Sequence, residues 1–233
     1  MAPSIVFDFD GTLAVGHGPV RAYAHCVAAA AAAGYLDRVE AELARYDAGD
    51  SAFRDGYDIV GSLAVADGVT AEAAQRAYAE SRELLGTASA PVDAVDGLDD
   101  MLETLGRSAR LILATNAPEP GIDRVLASWG VQHRFDERHF TVGKPAGLAP
   151  LVERLLAHGP VLAIGDIAEY DLVPAITLGA DTALVGATAA TSTVPVTMRG
   201  ASLAQLRTEI ETWAALAASS TSAPLGAGSG IER

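Results

Sequence analysis

Residues 4–13 read Ser4-Ile5-Val6-Phe7-Asp8-Phe9-Asp10-Gly11-Thr12-Leu13. A short apolar run that ends in acid has the composition of a strand buried on both faces of a parallel sheet. Gly11 then breaks it. The pattern returns at 110–114, which closes on Thr115-Asn116, and at 160–164, which closes on Gly165-Asp166. Residues 182–185 read as a further strand, 140–142 as a short one and 194–198 as a last edge strand. Helices are expected between them at 97–105, 121–129, 149–157, 173–178 and 202–216. Strands alternating with helices need crossover connections, hence a parallel sheet covered on both faces. The expected fold is α/β, a Rossmann-like three-layer sandwich.

One block interrupts the alternation. Residues 20–33 are alanine-rich, and 36–46 carry Leu36, Val39, Leu43 and Tyr46 at helical spacing. Residues 51–66 form a third helical candidate. Thr70 opens a fourth, with Thr-Ala-Glu-Ala as a partial capping box in which Ala73 stands where glutamate would be better. The expected division is an α/β core domain over 1–15 and 96–217, an inserted α-helical domain over 16–95, and a disordered tail over 218–233, rich in Ser, Thr, Ala, Pro and Gly. There is no internal repeat.

The chain has 233 residues and a formal net charge of −14. That balance, with no basic run, argues against nucleic acid and anionic membranes as partners. A single cysteine, Cys26, permits no intrachain disulfide and fits a cytoplasmic location. No basic region precedes the first strand, so no signal peptide is expected, and the alanine run at 27–33 is too short to span a bilayer. Of the 16 basic residues, Lys144 alone is lysine. A position that needs a compact ammonium on a flexible stem explains why one lysine stands among arginines.

Polar groups gather where the strands end, the edge at which open α/β sheets hold ligands. Asp8 and Asp10 follow the first strand, Thr115 and Asn116 the second, and Asp166 and Asp171 the strand at 160–164. Lys144 precedes the helix at 149–157. Asp8, Asp10 and Asp166 on one edge would repel each other, and such oxygen ligands suit a hard cation, magnesium being usual beside phosphate. Asp8 can then act as a nucleophile and Asp10 as general acid and base. Alone, Asp-x-Asp-Gly is often a turn, Thr-Asn a helix cap and Gly-Lys-Pro a loop. Their weight lies in occurring together and in order.

Together they resemble the four motifs of the haloacid dehalogenase superfamily. Asp8-Phe9-Asp10-Gly11-Thr12-Leu13 is similar to the first, Ala114-Thr115-Asn116 to the second, Gly143-Lys144-Pro145 to the third, and Gly165-Asp166 through Asp171 to the fourth. The resemblance implies that Asp8 is nucleophile and magnesium ligand. Asp10 would be the acid/base, with its backbone carbonyl on the metal. Thr115, the Asn116 backbone and Lys144 would hold the phosphoryl group, with Lys144 also neutralising Asp8. Asp166 would bind Mg2+, and Asp171 would support the metal or orient Lys144. The helical insert resembles the family's C1 cap. Two positions depart from the pattern: Tyr170 replaces the usual asparagine before Asp171, and Ala117-Pro118-Glu119-Pro120 replaces a glycine-containing turn.

The function expected is a magnesium-dependent phosphatase that hydrolyses a small phosphate monoester through an aspartyl-phosphate, working as a monomer or homodimer. Residues 17–95 hold twelve acids and six arginines, which disfavours a large polyanionic substrate and leaves a small phosphorylated metabolite. A phosphomutase acting on a sugar phosphate is the alternative. A haloacid dehalogenase is disfavoured because that type lacks the acid at position 10, and phosphonate cleavage because the insert has no lysine. A non-catalytic binding domain would be signalled by a missing catalytic residue, and none is missing. His17 stands where it would line the entrance to the cap or sit solvated at a hinge. Arg54 and Arg82 are candidates to hold a substrate anion, although arginines on such surfaces are more often solvated.

Overall fold

The computed structural model describes residues 2–50 and 52–222. The chain begins with β1 (Ser4–Phe7) and β2 (Ala14–Val15), followed by α1 (Gly18–Ala28), α2 (Tyr35–Asp47), α3 (Gly56–Ala66) and α4 (Ala71–Glu83). It continues through β3 (Asp93–Ala94), α5 (Leu98–Gly106), β4 (Arg110–Ala114), α6 (Glu119–Ser128), β5 (Glu137–His139) and α7 (Leu148–Leu156). The last elements are β6 (Val161–Gly165), α8 (Val173–Thr177), β7 (Asp181–Leu184), β8 (Met198–Arg199) and α9 (Leu203–Ser222), with a π-helical turn at Ala168–Leu172 just before α8.

Six strands form one sheet in the order β5-β4-β1-β6-β7-β8, and every pair is parallel. β1 is central, with Val6 beside Ile112 of β4 and Ala163 of β6. Side chains alternate across a strand. Ile5 and Phe7 therefore pack on one side with Leu102 of α5, Val125 of α6 and Ile210 of α9. Val6 packs on the other with Val152 and Leu155 of α7. Both faces are apolar, so the strands read as continuous hydrophobic runs. Burying such a side chain contributes roughly 1.5–3 kcal/mol. This is the α/β three-layer arrangement expected.

The helices α1–α4 have a core of their own, built around Val20, Tyr35, Val39, Leu43, Ile59 and Val60. The chain leaves and re-enters the sheet domain through β2 and β3, which pair antiparallel as a two-residue ribbon with Ala14 opposite Ala94. Gly18 lies so close to this crossing that a Cβ there would sit 1.9 Å from the Pro91 carbonyl oxygen.

Several boundaries differ from expectation. The alanine run does not stay helical: α1 stops at Ala28. Asp67 accepts the Ala32 amide at 2.9 Å and Arg38 donates to the Ala33 carbonyl at 3.2 Å, so tertiary bonds override alanine's propensity. α3 begins at Gly56 rather than 51, because Asp55 caps it by accepting from the Asp58 amide at 2.7 Å; Ser51 lies outside the described residues. The strand expected at 140–142 is Glu137–His139, and Thr141 just after it takes φ 48°. The edge strand expected at 194–198 is only Met198–Arg199. Arg199 donates to the carbonyls of Ala189, Ser192 and Val194 and folds that stretch into a loop. The tail expected from 218 is helical through Ser222, and 223–233 lie outside the described residues. Among the described residues, no helix is long and apolar enough to cross a membrane.

Candidate active site

The C-terminal ends of β1, β4 and β6 bring the polar residues to one edge, as the topology dictates. Asp8 directly follows β1, and its amide donates to the Ile164 carbonyl at 2.9 Å. Thr115 follows β4, and Asp166 follows β6. Lys144 arrives from the loop before α7, and its peptide bond to Pro145 is cis. The backbone N–H of Lys144 donates to Asn116 Oδ1 at 2.7 Å, so Asn116 uses its side chain to fix the lysine loop. Thr115 Oγ1 accepts from the Ala117 amide at 3.0 Å.

Lys144 is the electrostatic centre. Its ammonium lies 2.5 Å from Asp8 Oδ1 and 2.7 Å from Asp171 Oδ1, and all three groups are buried. Asp171 is held on the π-helical turn by an Ile167 amide that donates to its Oδ2 at 3.1 Å. Such turns recur at functional sites. Asp166 completes the group: one carboxylate oxygen each from Asp8, Asp166 and Asp171 lie within 4.8 Å of one another.

Three carboxylates face one ammonium. Burial, opposed by Lys144, pushes the Asp8 carboxyl from an ordinary 3.8 up to about 7. Burial and then the Asp8 charge push Asp166 well above its ordinary value. For Lys144 burial works against the charge, but Asp8 and Asp171 outweigh it and hold the ammonium above its usual range. Asp166 Oδ1 is buried and has no hydrogen-bond partner among the described residues. An orphaned carboxylate oxygen beside two more carboxylates is the donor set of a hard cation, and these residues fit one. Gly11 makes the approach possible: it has φ 78°, and a Cβ there would sit 2.2 Å from Asp166 Oδ2.

Asp10 points elsewhere. Its carboxylate faces Arg82 of α4, Nη2 to Oδ2 at 3.2 Å, and accepts from the Tyr57 hydroxyl of α3 at 3.1 Å. Arg82 is therefore not a solvated surface arginine: it is 3% exposed. Arg54 lies 4.8 Å from the Tyr170 ring centroid and donates to its hydroxyl at 3.0 Å. His17 pairs with Asp47 at 2.8 Å, and both line a cavity that Asp10 and Asp166 also line. Tyr57 was not legible as a site residue. The one local signal was Tyr78 four residues before Arg82, which puts ring and guanidinium on one helix face. A cavity of about 200 Å³ opens on the site, lined by Asp8, Asp10, Tyr57, Tyr78, Thr115 and Lys144 among others.

A parallel α/β sheet with carboxylates and a lysine at its C-terminal edge, and a helical block over them, defines a class of hydrolase. The family model of haloacid dehalogenase-like hydrolases matches residues 3–179, and the chain belongs to that family. Among solved structures it is similar to YfnB of Bacillus subtilis, described as a HAD-hydrolase bound to magnesium, at 16% identity over 90% of this chain and 98% of that one, with a TM-score of 0.61. A HAD phosphatase from Thermococcus onnurineus aligns at 17% identity over 89% and 97% of the chains, TM-score 0.53. A 2-haloacid dehalogenase from Pseudomonas syringae aligns at 16% over 91% and 100%, TM-score 0.53. These likenesses show the shared fold. No curated protein matches this sequence.

Proposed function

We propose that this hydrolase is a magnesium-dependent phosphatase of small phosphate monoesters. The observation that carries the reading is the Lys144 ammonium bridging Asp8 and Asp171, at 2.5 and 2.7 Å, beside the partnerless Asp166 oxygen. Asp8 and Asp166, with the Asp10 backbone carbonyl, would hold Mg2+, and Asp171 would steady Lys144. Bound there, the ion would offset negative charge on the phosphoryl oxygens and on the carboxylates.

The chain's own groups supply the rest. The Asp8 carboxylate attacks phosphorus as the bond to the leaving oxygen breaks, giving an aspartyl-phosphate. Asp10 gives its proton to the leaving oxygen, which departs as an alcohol. Water then attacks phosphorus, Asp10 takes the water's proton, and the Asp8–phosphorus bond breaks to release inorganic phosphate. Lys144 and the Thr115 hydroxyl bind the phosphoryl oxygens, together with the Asn116 backbone. The helices α1–α4 act as a cap over the site.

The net negative charge of the cap region, twelve acids to six arginines over 17–95, disfavours a polyanion. Support for magnesium also comes from the ion bound to the B. subtilis relative.

The test is phosphate release from a panel of small phosphate monoesters, with and without Mg2+. Turnover is expected only with the ion, and Asp8→Asn should abolish it. Folded, magnesium-supplied protein that releases phosphate from no member of the panel would overturn the reading.

A further inference from the structure

The helical block reaches into the site through a buried cation. Arg82 spans the Asp10 carboxylate with both nitrogens, Nη2 to Oδ2 at 3.2 Å and Nη1 to Oδ1 at 3.5 Å. The same Nη1 donates to the Tyr57 hydroxyl at 2.5 Å, and that hydroxyl donates to Asp10 Oδ1 at 3.1 Å. The guanidinium carbon lies 5.7 Å from the ring centroids of both Tyr57 and Tyr78. Those rings meet edge to face at 6.0 Å, so the guanidinium has a stiff support. A guanidinium removed from water this far is tolerated only with a carboxylate and further hydrogen bonds around it. Asp10 supplies the first and Tyr57 the second.

Arg82 does not line the cavity that opens on Asp8, whereas Asp10 and Tyr57 do. A substrate in that cavity would thus meet Asp10, with the arginine behind it. This separates Arg82 from a substrate-anion contact. Asp10 sits on a turn of the sheet domain, and both groups that fix its carboxylate come from the helical block.

We infer that Arg82 is a positioning residue for Asp10, with Tyr57 as the second half of the clamp. The inference rests on the phosphatase reading above. Docking of α3 and α4 sets both oxygens of Asp10 in one orientation, from which the carboxyl exchanges a proton with the leaving oxygen and then with water. Arg82 and Tyr57 make and break no bond themselves. Asp10 therefore keeps both partners only while α3 and α4 are docked against it.

A double-mutant cycle on the full chain with Mg2+ tests this. Arg82→Met is expected to lower kcat about 100-fold, the scale of general acid–base catalysis, with KM changed less than about threefold. Arg82→Lys, which keeps charge without the fork, should recover part of the loss. In an Asp10→Asn background Arg82→Met should cost almost nothing more. An equal loss in both backgrounds, or a rise in KM with kcat intact, overturns the clamp. Thermal unfolding of the same four proteins reads the pair without turnover. Arg82→Met should lower Tm more when Asp10 is present, and equal drops overturn the pairing. Should Arg82→Met not fold, Arg82→Lys and Tyr57→Phe carry the same cycle. Wild-type protein without turnover counts against the phosphatase reading, and the unfolding cycle still decides the clamp.

Discussion

The Nζ of Lys144 lies 2.5 Å from Oδ1 of Asp8, a residue 136 positions earlier in the chain. At this buried site the ammonium is the compensating charge for Asp8 and Asp171. Replacing it by methionine leaves those carboxylates without a counter-charge, which typically costs about 3–5 kcal/mol. Lys144→Met should therefore lower the urea midpoint strongly and reduce kcat by roughly 10²–10³-fold. Lys144→Arg should lose comparable activity, because a planar fork does not fit a pocket sized for an ammonium.

Asp8 and Asp166 keep their protons to higher pH in the fold than in the unfolded chain. The unfolded chain gives up these protons first, so the contribution of these two groups to stability is full below the ordinary 3.8 and is lost as pH rises through the folded value, about 7 for Asp8. Without added metal, Tm is expected to fall across that window. Asp166→Asn should flatten the fall and exceed the wild type at pH 8 by about 1–2 kcal/mol, while releasing no phosphate. Mg2+ should raise the wild-type Tm more at pH 8 than at pH 5. Scanning fluorimetry at several pH values checks both curves; a wild type that gains stability from pH 5 to 8 contradicts them.

Arg54 stacks on Tyr170 and gives the helical block a further contact with the sheet domain. The arginine side chain is 41% exposed, so the contact is worth about 0.5–1 kcal/mol. Arg54→Met should lower Tm by about 1–4 °C, leave kcat near wild type, and raise KM several-fold by loosening the docking of the helical block. Tyr170→Phe, which keeps the ring, should behave almost as wild type. Steady-state kinetics on the pair separate stacking from the hydroxyl contact.

Thr70 caps α4 by accepting the Ala73 amide at 3.2 Å. Thr70→Ala should cost about 1 kcal/mol in urea unfolding. The capped end lies a full helix away from Arg82, so kcat should stay within about twofold of wild type.

The sheet was readable because burial on both faces leaves uniform apolar runs. The strand Arg110–Ala114 was placed to the residue. Asp8, Thr115 and Asp166 were also readable, since each directly follows a strand, and Lys144 stood out as the one lysine. The rest depended on contacts distant in sequence. The alanine run favoured helix locally, but Asp67 and Arg38 drew it into a turn. β2 and β3 span two residues each, too few for any periodicity, and exist only because they meet. Tyr57 and Arg82 lie 47 and 72 positions from Asp10. On their own helices they are ordinary side chains, and docking alone makes them neighbours of the Asp10 carboxylate.

The ribbon of β2 and β3 has a bearing on how such a chain diversifies. With Val15 opposite Asp93, the start and finish of the intervening segment nearly coincide in space. A stretch with coincident ends can be lengthened, trimmed or exchanged without pulling on the strands it interrupts. This seam is where the intervening helices can be exchanged without moving Asp8, Lys144 and Asp166, although a chimera joined at 15 and 93 must bring its own partners for Asp10 in place of Tyr57 and Arg82.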